Sequence, residues 1–350
     1  MLGIDIGTAS TKGVLTTVDG EVVGTAVRKH SMSLPRPSWA EVDAHRVWWV
    51  DLVQVARELM GQVGDRTVAA LCVSGVGPCL LLCDGDLEPV RPAILYGIDG
   101  RAEREIAELT DLLGAEAILE RCGKALSTQA VGPKMLWFRR NEPEAWARGR
   151  RWYNSNSYVT AKLTGEYVLD HHTASQCDPL YDVRRNTWVE EWVPEVAGDI
   201  EMPRLVHPYE VVGRVTRGAS EETGIPVGTP VSAGTVDAWA EAFSAGVRKP
   251  GDLMLMYGST LFFVQVLRQF RTHPKLWTTV GVEPGQHTVA AGMSTSGSLT
   301  SWVQDLSGGA SFEQLVSEAS GWRRARTGCC CCRTSRGSGP RSSTRTRAGW

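Results

Sequence analysis

Apolar residues alternate with polar or small ones through Leu2, Ile4 and Ile6, and that period of two predicts a strand. A second apolar run, Val14 to Val18, closes at the turn pair Asp19-Gly20, and a third occupies Val22 to Val27, so the chain opens as a β-meander. Apolar positions then recur at helical spacing over His45 to Met60. Thr67 to Gly77 reads as a buried strand running into a glycine turn, and Pro78 to Val90 as a further strand and turn. Helical patterning returns at Arg101 to Leu113, Pro133 to Arg140 and Asn156 to Gly165, and a strand followed by a helix spans Val231 to Val247. Strands and helices interleave throughout, which predicts an α/β chain with mixed sheets.

The first turn of the meander, Gly7 to Gly13, is made of glycines, hydroxyl residues and Lys12. Backbone N–H groups and hydroxyls in such a turn suit an anion. It is not a P-loop, because it leads into a strand rather than a helix and Lys12 is followed by Gly13. A plain Gly/Ser/Thr hairpin with Asp5 capping it is the competing reading. A second turn of the same kind, Gly258-Ser259-Thr260, joins two apolar runs within Gly251 to Leu267. The repeated hairpin suggests an internal duplication in which each half supplies one side of a phosphate site.

With 350 residues the chain is more naturally two domains than one, and 42% hydrophobic and 22% charged residues mark a soluble globular protein. No apolar run reaches membrane-spanning length and Met1 leads straight into a strand, so no membrane partner and a cytoplasmic location are expected. Five of the nine cysteines (Cys72, Cys79, Cys83, Cys122, Cys177) are scattered as expected for reduced, buried thiols, and four adjacent ones, Cys329 to Cys332, lack the spacing of a zinc site. His171 and His172 read as polar surface residues, since no acidic or cysteine partner has metal spacing around them. Charge is uneven: the last 30 residues hold eight arginines and no acid, leaving 29 basic and 39 acidic residues before them.

Seven stretches then occur in one order: "GIDIGTASTKG", "WAEVDAHRVWW", "PAILYGIDGRAEREI", "KMLWFRRNEPE", "AKLTGEYVLDHHTAS", "AGTVDAWAEAFSAGV" and "YGST". In these the sequence resembles the FGGY carbohydrate kinases, the sugar kinase branch of the actin-like ATPase superfamily, and among them the xylulokinase group. The resemblance runs from the first residues to about residue 320. It implies a duplicated actin-like (ribonuclease H-like) α/β fold, ATP and Mg2+ as cofactors, and transfer of the γ-phosphoryl group to a hydroxyl of a ketose or polyol. It also implies roles for residues at matching positions. Asp5 orders magnesium-bound water. Gly7, Thr8, Ser10, Thr11 and Lys12 face the ATP phosphates, and Gly258, Ser259 and Thr260 close on them from the second domain. Asp237, in "GTVDAWA", is the base that takes the proton of the attacking hydroxyl, and a helix N-cap role is compatible with that. Asp99 and Arg101 lie on the sugar side, where an ordinary helix-start ion pair is an equally good account. Where xylulokinases carry Met-His-Gly, this chain has Val76, Gly77 and Pro78, so the identity of the sugar stays open.

The implied organisation is an N-terminal kinase domain over residues 1–246, the start of a second domain over 247–320, and a tail over 321–350. Back-translated with GC-rich codons and read in a shifted frame, the cysteine run becomes leucines and the residues after it can spell a Pro-Tyr-Phe-Ala-Gly-Glu-Arg-Thr-Pro block found in the longer family members. The hypothesis is a frameshift near Ser320 to Trp322, which resequencing the encoding DNA across that region tests directly. Without aliphatic residues the tail is expected to be disordered and, despite its arginines, to have no nucleic-acid partner. A chain whose second domain stops there is expected to be a poor kinase. Sugar and ATP are the expected partners, with a homodimer left open. A non-catalytic or chaperone-like ATP-binding protein of the same superfamily is the alternative.

Overall fold

The meander at the amino terminus is the growing edge of a mixed sheet in which strands β1 (Leu2–Ile6), β2 (Ser10–Thr16) and β3 (Val22–Lys29) pair antiparallel in sequence order. The computed structural model describes residues 1–64, 67–258, 261–293 and 296–321. Trp322, at the end of the frameshift region, and the arginine-rich tail that follows lie outside the described residues, as do Ser259 and Thr260.

The second strand begins at Ser10, earlier than its apolar run predicts, because Thr11 and Lys12 pair directly with Ile6 and Asp5. The turn is therefore shorter than the sequence suggests. Gly13 lies not in the turn but inside β2, beneath helix α1 (Val50–Met60). A Cβ at Gly13 would sit 2.3 Å from Val55 and 2.7 Å from Leu59, so only glycine admits the helix at this depth. The helix in turn buries Leu52, Val55, Ala56 and Leu59, of which Leu52, Val55 and Leu59 are each worth up to about 1.5–3 kcal/mol as large aliphatic side chains removed from water. Ahead of α1 the helical pattern of His45 to Met60 starts as a wider π-type turn, Ala44–Trp49, capped by Asp43 accepting from the Arg46 N–H.

Across β1 from the meander lies β4 (Leu71–Gly75), parallel to it. The sheet continues through β7 (Pro230–Ser232) to β6 (Val211–Arg214), and β8 (Thr235–Val236) also pairs parallel with β4. Among the elements between β4 and β6 are helix α2 (Val131–Asn141), helix α3 (Ser155–Thr164), strand β5 (Val168–Asp170) and the single turn α4 (His171–Ala174). Helix α5 (Asp237–Ser244) leaves β8 and leads to a second sheet of four antiparallel strands. These are β9 (Leu253–Tyr257), β10 (Leu261–Val266), β11 (Trp277–Val280) and β12 (His287–Met293), in the order β9-β10-β12-β11. Tyr257 pairs with Leu261, so β9 and β10 form a hairpin as the sequence echo predicts. Helices α6 (Gly297–Leu306) and α7 (Phe312–Gly321) follow. Leu253, Leu255 and Tyr257 point from the edge strand β9 into solvent, while Met254 between them is buried.

Of the scattered cysteines, Cys79, Cys83, Cys122 and Cys177 are buried as expected, whereas Cys72 is exposed. Among the described residues no helix is long and apolar enough to cross a membrane.

Candidate active site

Three parallel strands end at one level. Asp5 of β1 is in register with Ser74 of β4, and Ser74 with Thr235 of β8, so residues just past these positions share the carboxyl edge of the sheet, where α/β folds gather ligands. The Ser74 hydroxyl donates to Asp5 Oδ1 at 2.8 Å. Asp5 Oδ2 has no hydrogen-bond partner among the described residues. A free, hard carboxylate oxygen at a half-buried position fits a hydrated magnesium ion.

Asp237 stands two residues beyond Thr235 and opens α5, where its Oδ1 accepts the Ala238 N–H at 2.7 Å. Burial, reinforced by the charge of Asp5, pushes its carboxyl from an ordinary 3.8 up to about 6, against the opposing pull of the Ala238 N–H and Lys12. A carboxyl tuned toward neutrality beside a second carboxylate is the environment of a proton acceptor.

The hairpin between β1 and β2 is closed by the Gly7 N–H donating to Ser10 O at 3.0 Å. The N–H groups of Thr8 and Ala9 have no partner among the described residues, which leaves them available to an anion. Thr8 Oγ1 lies 3.1 Å from the Tyr96 hydroxyl. Ser10 is half-buried and Lys12 exposed, with its charge felt at Asp237. Thr11 differs from the expectation: it is fully buried, its hydroxyl inside the layer between sheet and helix, because pairing with Ile6 sets it on the inward face of β2. Gly258 is exposed at the second hairpin, where its carbonyl accepts the Gly297 N–H at 2.8 Å.

The loop after β4 is gripped by the amino end of α3. Asn154 Oδ1 accepts the Cys79 N–H at 2.7 Å, and the Ser155 hydroxyl donates to Val76 O at 2.6 Å. A Cβ at Gly77 would lie 2.9 Å from Val236 and 3.0 Å from Asn154, so glycine here lets the loop close on the β8 strand, and Pro78 is buried beside it. Asp99 and Arg101 have fully buried side chains. The Arg101 guanidinium spans Asp99 (Nη2 to Oδ2, 2.7 Å) and Glu41 (Nη1 to Oε1, 2.8 Å) and lies 4.0 Å from the Trp39 ring centre, while Asp99 Oδ2 also accepts the Ala40 N–H at 2.7 Å. Their polar atoms are spent on this cluster, which fixes the loop carrying Tyr96. Buried Lys134 donates to Leu95 O at 2.8 Å from the other side, and desolvation lowers its ammonium to about 8 in spite of Asp99.

Tyr96 was not singled out by sequence reasoning, although it lies inside a motif quoted for the family. Burial raises its phenol, the Thr8 hydrogen bond lowers it, and the nearby Asp237 charge adds to the rise. It therefore joins the hairpin between β1 and β2 to the loop that carries Asp99 and Arg101, within reach of the Asp237 charge.

The surface reading of His172 is overturned. Its ring is fully buried, Nδ1 donating to Val280 O at 2.6 Å and Nε2 accepting from the Gln176 amide at 2.7 Å, with Trp239 of α5 at 4.2 Å between ring centres. Desolvation lowers its imidazole to about 3, so it serves as a neutral link between α4, α5 and the second sheet. His171 is half-buried, 2.8 Å from the Tyr181 hydroxyl. No group of three metal-ligating side chains occurs among the described residues.

The profile of the N-terminal domain of the FGGY family of carbohydrate kinases matches residues 1–244. The chain belongs to this family. Its relatives in the FGGY family include the xylulose kinase of Klebsiella pneumoniae, 28% identical over 91% of this chain and 65% of that protein. The glycerol kinase of Nocardia farcinica is 27% identical over 86% of this chain and 62% of its own length. Among solved structures, the xylulose kinase from Rhodospirillum rubrum superposes with a TM-score of 0.84 at 30% identity, covering 91% of this chain and 65% of the other. The fold is thus the actin-like ATPase fold of FGGY kinases, and the chain spans about 65% of the length of the first of these relatives.

Proposed function

We propose that the chain carries the phosphoryl-transfer site of an ATP-dependent sugar kinase acting on a hydroxyl of a ketose or polyol, with residues 1–246 forming the sugar-side domain and residues from 247 onward the start of the nucleotide-side domain. The observation that supports this most is the row Asp5, Ser74 and Thr235, which gathers a hard carboxylate, a base and a phosphate hairpin at one sheet edge. In phosphoryl transfer the protein chiefly positions reactants and offsets charge, and these groups suit that task.

In this reading the free N–H groups of Thr8 and Ala9, with Gly7, Ser10 and Lys12, hold the ATP phosphates, and Gly258, Ser259 and Thr260 approach from the second sheet. Asp5 holds the water shell of Mg2+, which when bound offsets charge on the phosphates. Asp237 accepts the proton of the attacking sugar hydroxyl. Gly77, Pro78 and Tyr96 line the sugar side, and Asp99 with Arg101 keeps that loop in place. Such a kinase works where ATP and free sugars meet, in the cytoplasm.

The test is ADP release measured with D-xylulose, D-ribulose, L-ribulose and glycerol, for this chain and for a form extended to the length of its relatives. Sugar-dependent ADP release from the extended form supports the reading, and we expect little from the 350-residue form. Hydrolysis of ATP that no sugar stimulates would favour a non-catalytic or chaperone-like ATP-binding protein.

A further inference from the structure

His30, the residue that follows β3, touches the phosphate hairpin twice. Its backbone N–H donates to Ala9 O at 3.1 Å, and its imidazole Nε2 donates to Gly7 O at 3.0 Å. The other ring nitrogen, Nδ1, lies 2.8 Å from the Asp51 carboxylate, in the first turn of α1. Both side chains are largely shielded, with 8% of the His30 and 14% of the Asp51 side chain exposed.

The consequence is electrostatic. A short turn presents N–H groups on one side and carbonyl oxygens on the other, and a phosphate is drawn to the first and repelled by the second. His30 occupies the carbonyls of Gly7 and Ala9, while the N–H groups of Thr8 and Ala9 stay free among the described residues. The brace is anchored to α1, whose seat on β2 is fixed by the contact at Gly13. Neither residue belongs to the stretches that carry the family resemblance.

We propose that His30, held by Asp51, is a positioning residue that locks the carbonyl side of the Gly7–Ala9 turn away from the bound phosphates and thereby sets the affinity of the hairpin for a polyphosphate. This rests on the reading of the hairpin as a phosphate site, and the test separates the two.

The full chain is compared with its His30→Phe, His30→Gln and Asp51→Asn variants by amide hydrogen exchange across residues 6–12 and by calorimetric titration with inorganic tripolyphosphate and, separately, D-xylulose. His30→Phe is expected to speed exchange in the turn and to weaken tripolyphosphate binding about tenfold, the loss of one hydrogen bond of this kind, with sugar affinity unchanged. His30→Gln, which keeps an N–H donor toward Gly7 O, recovers most of both effects, a rescue that loss of packing alone would not show. Asp51→Asn, which keeps an acceptor but removes the charge, falls between them. Should His30→Phe unfold, Asp51→Asn and His30→Gln still report on the brace. Unchanged exchange and unchanged tripolyphosphate affinity in the variants overturn the proposal. Wild-type chain that binds no tripolyphosphate overturns the phosphate reading, and with it the affinity role given to His30, while slow exchange lost in His30→Phe would still establish the mechanical brace.

Discussion

The Thr235 hydroxyl donates to the buried Asp170 carboxylate at 2.8 Å, and Asp170 also caps the turn His171–Ala174 by accepting the Thr173 N–H at 3.0 Å. The strand that delivers Asp237 is thereby tied to the segment that holds His172 against Trp239. Burial raises the Asp170 carboxyl, and the hydrogen bonds it accepts pull it back.

Asp170→Ala leaves the Thr235 hydroxyl and the Thr173 N–H buried without an acceptor, at a cost of about 1–3 kcal/mol each. The urea midpoint is expected to fall clearly, and Asp170→Asn, which keeps an acceptor oxygen, to fall less. Equal midpoints for wild type and Asp170→Ala would mean the tie carries no stability.

Asp237 is held at a cost to stability. Its folded-state carboxyl, near 6, lies above its ordinary 3.8. A raised acid contributes stability that is present below the unfolded value and lost as pH rises through the folded one, here from about pH 4 to pH 6. Asp237→Asn is therefore expected to be more stable than wild type at pH 7 by on the order of 2 kcal/mol, read as a higher melting temperature, with the difference vanishing below pH 4. In an active, extended form the same variant is expected to lose a factor of about a hundred to ten thousand in turnover while keeping its affinity for ATP and sugar. Full turnover in Asp237→Asn would remove the base assignment.

Asp5 raises the Asp237 carboxyl and, in the proposed function, also holds magnesium. Asp5→Asn removes the charge that helps raise Asp237, so the acid limb of sugar-dependent ADP release should move to lower pH. Titration with magnesium should show an increased requirement in Asp5→Ala. A variant with the wild-type acid limb and the wild-type magnesium requirement would take Asp5 out of both roles.

The Asp99 and Arg101 pair predicts a different failure. Asp99→Ala strands a fully buried guanidinium beside Glu41 and frees the Ala40 N–H, and breaking a buried pair in this way costs about 3–5 kcal/mol. Thermal melting should show the loss. If the variant melts normally but D-xylulose binding disappears, the pair contacts sugar directly and its structural role is secondary.

The sequence showed its strands and hairpins because their signals are local. Period-two alternation over Leu2 to Ile6 and the repeated glycine and hydroxyl turns need no knowledge of neighbours, and the motif order from "GIDIGTASTKG" to "YGST" led to the family that the profile match establishes. Asp5, Thr8 and Asp237 could be placed at strand ends or at the start of a helix for the same reason, while the roles proposed for them come from the family resemblance. The outward or inward face of Thr11 was not, because it depends on where β2 begins to pair with β1. His172 looked like a surface residue since its neighbours in sequence are polar, and only the approach of Trp239 and Val280 from distant segments buries it.

What the sequence determined by itself, then, was the order of the elements, the two hairpins and the family, all carried by residues close together in the chain. What only the tertiary structure decided was which of those residues face one another. The alignment of Asp5, Ser74 and Thr235 requires β1, β4 and β8 to lie side by side and parallel, and the grip of His30 on Gly7 requires α1 to seat on β2 through the gap left by Gly13. Hydrogen bonds and packing act over a few ångströms of space whatever the distance along the chain, so these relationships exist only once the sheet is assembled.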